Sequence, residues 1–355
     1  MASLTQTAYL SRKIIKFGSL GLVAFLILRG LFISFQTYWK KAHPAPPPPP
    51  TVAFGKLPAL SFPSREGLPT LSFKLETISG TFPKQATQAK VYFMSQPAAN
   101  LLAWDNTKTW AKKLGFANNP EATDKFAYRF SDSDSPPTIL DVNVLTKNFH
   151  LYYDWKNDLG IISLGNPPQD SAAIANAKSF LQGADALTDD LSQGTAETIY
   201  LKYKNGDLIK AIFYSESNFT KVNLFRANID NLKVLPPNPK DANISIFFGP
   251  SDSRNKGILE VKYTHAPVSF ENYATYPLKN ISIAWKELME GKGFIANLGN
   301  NPQGKITVRD AYLAYYDSEE AQNFLQPVFV FEGDNEFFGY VPAISDNWQE
   351  QASAK

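Results

Sequence analysis

Asp170-Ser-Ala-Ala-Ile-Ala-Asn-Ala-Lys-Ser-Phe-Leu-Gln-Gly183 and, fourteen residues on, Glu197-Thr-Ile-Tyr-Leu-Lys-Tyr-Lys204, Asn205-Gly206 and Asp207-Leu-Ile-Lys-Ala-Ile-Phe-Tyr214 decide the fold class. The first piece reads as a helix. Asp170 or Ser171 can cap it, Ile174, Ala177, Phe180 and Leu181 share one face, and Gly183 ends it. The second reads as a β-hairpin, because Asn-Gly readily takes the positive φ that a type I′ turn requires.

The same helix-then-strands order recurs on either side. Asp105 or Asn106 can start a short helix ended by Gly115, followed by strand patterns at 125–131, 139–145 and 148–155. Downstream, strand patterns at 221–227, 243–248 and 258–265 precede a third helix over 281–290, with Ala284, Trp285, Leu288 and Met289 on its buried side. Long strands follow at 305–316 and 328–341. Alternating patterns at 71–75 and 89–94 read as further strands. Repeated helix-then-sheet units make this an α+β chain with antiparallel sheets, each packed by a helix. There is no regular βαβ alternation and no dinucleotide-binding glycine pattern.

The N-terminus sets the context. Phe17 to Trp39 contains twelve Leu, Ile, Val or Phe residues, and its length of roughly 34 Å suffices to cross a ~30 Å hydrocarbon layer. No small-residue cleavage site follows, so the span reads as an uncleaved signal anchor. Arg12, Lys13 and Lys16 precede it and Lys40 and Lys41 follow, which with the mass beyond the span favours a cytoplasmic N-terminus and an extracytoplasmic C-terminal domain. Arg29 lies near the middle of the span. It either pairs with a carboxylate on another membrane helix or snorkels to the interface. Pro44 and Pro46 to Pro50 form a stiff polyproline II spacer. In the proline-thinned stretch beyond, Leu57-Pro-Ala-Leu-Ser-Phe62 is echoed by Leu68-Pro-Thr-Leu-Ser-Phe73. The echo is either two extended segments that dock in equivalent grooves or proline-rich drift. The expected organisation is a tail over 1–16, a transmembrane helix over 17–39, a Pro-rich linker over 40–69, α+β units over 70–165, 166–275 and 276–347, and a tail over 348–355.

Residues 1–41 hold six Lys and Arg and no acid. Of the chain's 35 basic and 33 acidic residues, 29 and 33 therefore fall beyond them, a formal net of −4. No basic footprint for nucleic acid is visible. With no cysteine, disulfides, thiolate catalysis and Cys-ligated zinc are excluded.

Two stretches carry a family resemblance. The helix Ala172 to Leu181 with the aromatic-rich meander after it resembles a PepSY-like unit. Tyr276-Pro-Leu-Lys-Asn-Ile-Ser-Ile-Ala-Trp-Lys-Glu-Leu288, Gly291-Lys-Gly-Phe-Ile295, Asp310-Ala-Tyr-Leu-Ala-Tyr-Tyr316, Leu325-Gln-Pro-Val-Phe-Val-Phe331 and Tyr340-Val-Pro-Ala343 resemble the end of YycH/YycI-type proteins. The resemblance covers the last 180 residues or so and rests on aromatic and hydrophobic patterning. It implies a single-pass, externally exposed accessory regulator of a cell-wall-sensing histidine kinase, acting through protein contacts without chemistry. The proline linker and segment 57–82 depart from the family's pattern.

Chemistry-bearing constellations are sparse. His43, His150 and His265 are the only histidines, and their spacing does not bring them together with carboxylates. Ser131-Asp-Ser-Asp-Ser135 lacks the glycine and glutamate of a calcium loop and reads as a turn. Asp189-Asp190 and Glu319-Glu320 are adjacent in sequence rather than facing across a cleft, and read as solvated. No cofactor or metal motif is present, and no enzymatic activity is expected. The clusters Tyr152-Tyr153-Trp155 and Tyr312-Tyr315-Tyr316 place rings on both faces of their strands. They form either layered core or a partly exposed surface for a peptide, glycan or protein. With Arg29, these are the candidate partner-binding residues. The sequence thus favours a membrane-anchored extracytoplasmic binding or regulatory module. The alternatives are a non-catalytic structural subunit of an envelope assembly and, more weakly, a carboxylate-dependent envelope hydrolase.

Overall fold

The computed structural model describes residues 4–42, 48–97, 101–250 and 257–350. They fall into two compact units, Met1–Pro49 and Pro50–Lys355. The first is a single helix, α1 (Leu4–Ala42), which runs without a break through the expected tail and span. Thr7–Lys40 is long and apolar enough to cross a membrane, and its most apolar window is unburied. A helix apolar around its whole circumference needs apolar surroundings that this unit does not itself provide.

The second unit contains two sheets. Its chain begins with a strap. Residues 51–69, expected as spacer, lie docked on the domain, because apolar residues alternate with the prolines. Leu57 is fully buried with Tyr276 and Ile344, Val52 and Phe54 pack beside them, and Leu60 and Phe62 enter a separate apolar cluster. Proline cannot donate, so side chains satisfy much of the strap's backbone. The Gln326 amide donates to Pro58 O at 2.9 Å, Tyr276 OH to Gly55 O at 2.9 Å and Tyr316 OH to Ser61 O at 3.2 Å.

The strap leads into β1 (Ser72–Leu75) and then β2 (Gln88–Met94). Helix α2 (Ala103–Lys113) opens the first of two helix-and-meander halves. Its strands are β3 (Glu121–Ala122), β4 (Ala127–Ser131), β5 (Thr138–Asn143) and β6 (Phe149–Tyr153). The second half starts with α3 (Asp170–Gly183) and α4 (Asp189–Ser192) and continues through β7 (Ala196–Lys204), β8 (Asp207–Lys210) and β9 (Phe219–Leu224). After the short β10 (Val234–Leu235) it adds β11 (Ile244–Phe248) and β12 (Ile258–Tyr263). The Asn205-Gly206 turn forms as read, with φ of 55° and 93°, and joins β7 to β8.

These two halves are not separate units. β12 pairs antiparallel with β6, Val261 opposite Leu151, so one nine-stranded sheet runs β3-β4-β5-β6-β12-β11-β9-β7-β8 across the expected boundary at 165/166. Joining two meanders edge to edge removes two exposed strand edges. The helices pack on one face. Ala111, Ala173, Ala177, Leu181 and Leu191 lie against Leu140, Leu151, Val222, Ile246 and Val261 in one buried cluster. The alternating burial of β5 and β6 is the period-2 signature of a sheet covered on one side.

The remaining strands are β13 (Val268–Pro277), β14 (Phe294–Asn297), β15 (Lys305–Tyr316), β16 (Phe324–Gly333) and β17 (Phe337–Pro342). With β1, β2 and β10 they make an eight-stranded sheet. Its main path is β1-β15-β16-β17-β14, with β10 on β15, β2 on β16 and β13 on β2. β13 crosses the expected boundary at 275/276. Its alternation is hidden by a bulge, the register jumping between Ser269 and Tyr273. Helix α5 (Ile281–Met289) is capped by Asn280, whose side chain accepts from Ser282 N at 2.8 Å. It buries Ile281, Ala284 and Leu288 on this sheet, while Met289, expected on the buried side, is exposed. Both echoed segments dock, on opposite faces of the sheet. Phe62 stacks on Phe294, and Phe73 meets Trp285 and Phe337 edge-on.

Candidate functional site

Four chain segments leave regular structure at one place. β9 ends at Leu224 and runs into Arg226, β12 ends at Tyr263 before His265, β15 ends at Tyr316 before Asp317, and Thr188 leads into α4 with Asp190 in its first turn. Their polar groups converge on Arg226, whose side chain is 4% exposed. Its Nε donates to Asp190 Oδ2 at 2.7 Å, Nη1 to Asp317 Oδ1 at 3.0 Å and Nη2 to the Ala266 carbonyl at 3.1 Å. His265 Nε2 lies 3.0 Å from Asp190 Oδ2, and the Thr188 hydroxyl donates to Asp190 Oδ1 at 2.5 Å. The Asn243 amide donates to the Asp317 carbonyl at 2.9 Å. Burying three charges costs several kcal/mol per ion unless each is paired and hydrogen-bonded, as here. Asp190, Arg226 and His265 belong to the nine-stranded sheet's half and Asp317 to the eight-stranded sheet, so the cluster ties the two together.

The electrostatics follow from this geometry. Burial alone would raise the Asp190 carboxyl. The His265 hydrogen bond and the Arg226 charge outweigh it and hold the group well below the usual carboxylate range. For Arg226, burial works against the charge and the two aspartates overcome it, leaving a raised pKa. The Tyr263 phenol is pushed up to about 12, first by burial and then by the Asp190 charge.

Beside His265 opens a cavity of about 460 Å³. Helix α2 contributes Asn106, Thr107 and Trp110, β5 and the loop after it Val142, Leu145, Thr146 and Lys147, and the turn after α3 Ala184, Asp185, Ala186 and Thr188. Tyr263, His265, Pro97 and Pro267 complete it. An aromatic row, of which Trp110, Tyr263 and His265 line the cavity, stands behind its wall. Trp110 lies 5.2 Å from Phe149, Phe149 stacks at 5.0 Å on Tyr263, and Tyr263 lies 6.1 Å from His265. The Trp110 indole N–H is occupied by the Ala184 carbonyl at 2.7 Å. The Tyr263 hydroxyl has no hydrogen-bond partner among the described residues. An apolar hollow with a few convergent polar groups is the usual form of a small-molecule site.

The aromatic residues singled out from sequence lie elsewhere. Tyr153 and Trp155 are buried with Phe219 and Phe247. Tyr152 is half-buried and stacks at 4.8 Å on His150, itself 2.7 Å from Glu260. Tyr315 and Tyr316 are fully buried and bond the carbonyls of Lys90 and Ser61, while Tyr312 is half-buried against Glu332. Tyr153, Trp155, Tyr315 and Tyr316 are thus core, while Tyr152 and Tyr312 are half-exposed. The segment at 161–162 covers Tyr153 and Trp155, and the strap and Leu235 of β10 cover Tyr316. Arg29 is exposed on α1 and makes no ion pair among the described residues. Of the histidines, His43 lies outside the described residues and His265 alone reaches an aspartate. Asp190, expected to be solvated, is half-buried in the charge cluster, and Asp189 stays exposed. The 131–135 turn is closed by Asp132, whose Oδ1 accepts from Thr138 N at 3.0 Å. Among the described residues no three His, Asp or Glu side chains converge to hold a metal.

Sequence reasoning missed Arg226, Asp317, Trp110 and Tyr263. A signal existed for two of them: Val222-Asn-Leu-Phe-Arg226 and Leu313-Ala-Tyr-Tyr-Asp317 each end an apolar run in a charge.

No protein-family model matches the chain, and no curated protein matches it. Among solved structures it is similar to an uncharacterized protein from Eubacterium rectale, at 12% identity and a TM-score of 0.31, over 74% of this chain and 84% of that one.

Proposed function

We propose that this chain is a single-pass, membrane-anchored binding module with its N-terminus inside and its two-sheet domain outside, and that the domain takes up a small ligand in the Trp110–Tyr263 cavity. The cavity is the observation that carries the proposal. It is large enough for a small organic molecule and is lined by aromatic and aliphatic groups together with a few polar side chains. The apolar helix α1 supports the anchor, and the basic residues before it support the orientation. Two helix-and-meander halves, α2 with β3–β6 and α3 with β7–β12, are consistent with the PepSY-like description. Asp190 and Asp317 are both committed to Arg226, which suits holding a structure in place better than proton transfer. A regulatory role follows if ligand uptake changes what the anchor helix meets in the membrane, through Arg29 among others.

The test is a thermal-shift screen of small aromatic and aliphatic compounds on the full chain in lipid nanodiscs, repeated with Ala186→Phe, which fills the cavity. Stabilisation of the wild type that is lost in the variant is the expected result. If no compound stabilises the wild type, or if Ala186→Phe responds equally, the proposal fails.

A further inference from the structure

We infer that the cavity selects a flat, uncharged ring compound carrying one hydrogen-bond acceptor, such as an aryl carbonyl, that accepts from the Tyr263 hydroxyl. This rests on the proposal that the cavity binds a small ligand. Three observations fix the class.

The first is shape. The Trp110, Phe149 and Tyr263 rings follow one another at 5.2 and 5.0 Å, and Trp110 and Tyr263 reach the cavity wall. Offset or edge contacts with such rings favour another flat ring over a branched aliphatic body.

The second is hydrogen-bonding capacity. Other polar side chains toward the buried end are largely occupied. Thr107 donates to the Ala103 carbonyl and Thr188 to Asp190, and the Trp110 N–H is taken by Ala184. The Tyr263 O–H has no acceptor among the described residues and is open to solvent in the cavity rather than sealed from it. A ligand oxygen placed there takes over as its acceptor, whereas a hydrocarbon covers the donor and leaves it unmatched at a cost of about 1–3 kcal/mol.

The third is charge. Arg226 is held by Asp190 and Asp317, and His265 lies on Asp190, so the charges behind Tyr263 are met within the cluster. It offers an anion no free cation. It offers little to a cation either, because the Asp190 oxygens already accept from Arg226, His265, Thr188 and the Leu191 N–H. Lys147 and Asp185 are charged but sit exposed on the lining, and Asp185 is paired with Lys113 at 2.8 Å.

The experiment compares three probes of near-equal size on the full chain in nanodiscs: acetophenone, α-methylstyrene and benzoate. Binding is followed by protein-observed NMR, with free probe measured by equilibrium dialysis and Ala186→Phe as the reference for partition into lipid. Acetophenone should bind the wild type most tightly and benzoate least. Tyr263→Phe should weaken acetophenone about tenfold, the worth of one buried hydrogen bond, and leave α-methylstyrene bound as tightly or more tightly. Benzoate binding best, or acetophenone unaffected by Tyr263→Phe, overturns the selectivity while leaving the cavity as a ligand site. If neither neutral probe shows binding that Ala186→Phe abolishes, the selectivity and the site itself both fall.

Discussion

Arg226 and Asp317 join the two sheets. The guanidinium Nη1, on the chain leaving β9, lies 3.0 Å from the Asp317 carboxylate at the end of β15, and both side chains are less than a tenth exposed. Asp190 holds the other side of the same guanidinium. Removing the arginine therefore strips its charge from the buried Asp317 and the partly buried Asp190. Breaking such a pair costs about 3–5 kcal/mol. Arg226→Met should lower the denaturant midpoint by a corresponding amount, and adding Asp317→Leu should recover part of it, because the more deeply buried of the two stranded carboxylates is then gone. Equal stability of Arg226→Met and the wild type would show that the cluster is not buried as described.

The charge cluster also predicts an acid dependence. The folded-state pKa of Asp190 is depressed, so the folded state binds fewer protons than the unfolded state wherever the unfolded aspartate titrates. Its stabilising contribution is fully present above the ordinary aspartate value of about 3.9 and is lost as pH falls below that value toward the depressed one. Asp190→Asn should thus be much less stable than the wild type at pH 6, and the gap should narrow at pH 3. Urea melts at the two pH values decide it. A gap that does not change with pH contradicts the assignment.

Gly194 permits the close approach that positions Arg226. A Cβ on Gly194 would stand 1.8 Å from the Phe225 carbonyl oxygen and 2.9 Å from that of Asp190, both backbone atoms that cannot step aside. Gly194→Ala should push the loop after α4 away from residues 225–226. That would break the Ala227 N–H to Asp190 O bond of 2.8 Å along with the Asp190–Arg226 pair. A loss of about 1–3 kcal/mol is expected, as for overpacking of a tight contact. Faster amide exchange at Ala227 is the local signature to look for.

How much of this was legible beforehand depends on the range of the interactions. The Asn205-Gly206 hairpin, helix α3 and helix α5 are local matters of turn chemistry, spacing and capping, and they stand in the chain where the sequence puts them. The partner of each strand is a different question. Nothing in Phe149–Tyr153 says that its neighbour will be Ile258–Tyr263, more than a hundred residues on, so two expected units became one sheet. The strap was hidden for a related reason. Prolines signal an extended chain but not whether it is free, and only the docking partners of Leu57 and Phe62 reveal that it is held. The cavity and its charge cluster are assembled from segment ends scattered between Asn106 and Asp317, which no local pattern can bring together.

The strap carries its own prediction. Lys56 and Arg65 are exposed side chains on a backbone held by Leu57, which is completely buried, and by Phe62 against Phe294. Trypsin acting on the full chain in nanodiscs should spare both while the strap is docked, because cleavage needs local unfolding. Leu57→Ala should cost about 2–5 kcal/mol and make Lys56 and Arg65 the earliest new cleavage sites. Rapid cutting at either residue in the wild type would restore the free-linker interpretation.

Arg29 is the residue by which the anchor can be tested as more than an anchor. Residues 4–42 contain no aspartate or glutamate, so α1 cannot neutralise the guanidinium within itself. A charge near the middle of a span costs about 2.5–3.5 kcal/mol on insertion-based scales. Pairing with a carboxylate from another helix would recover that amount, and snorkelling would recover part of it. Under the proposed topology, Arg29→Leu should leave membrane insertion intact or improve it, while reducing by severalfold the amount of any membrane protein crosslinked to α1. Crosslinking through α1 in native membranes, quantified by mass spectrometry for the two forms, measures this directly. Identical partners and yields with Leu at position 29 would assign Arg29 to snorkelling and leave α1 as a tether alone.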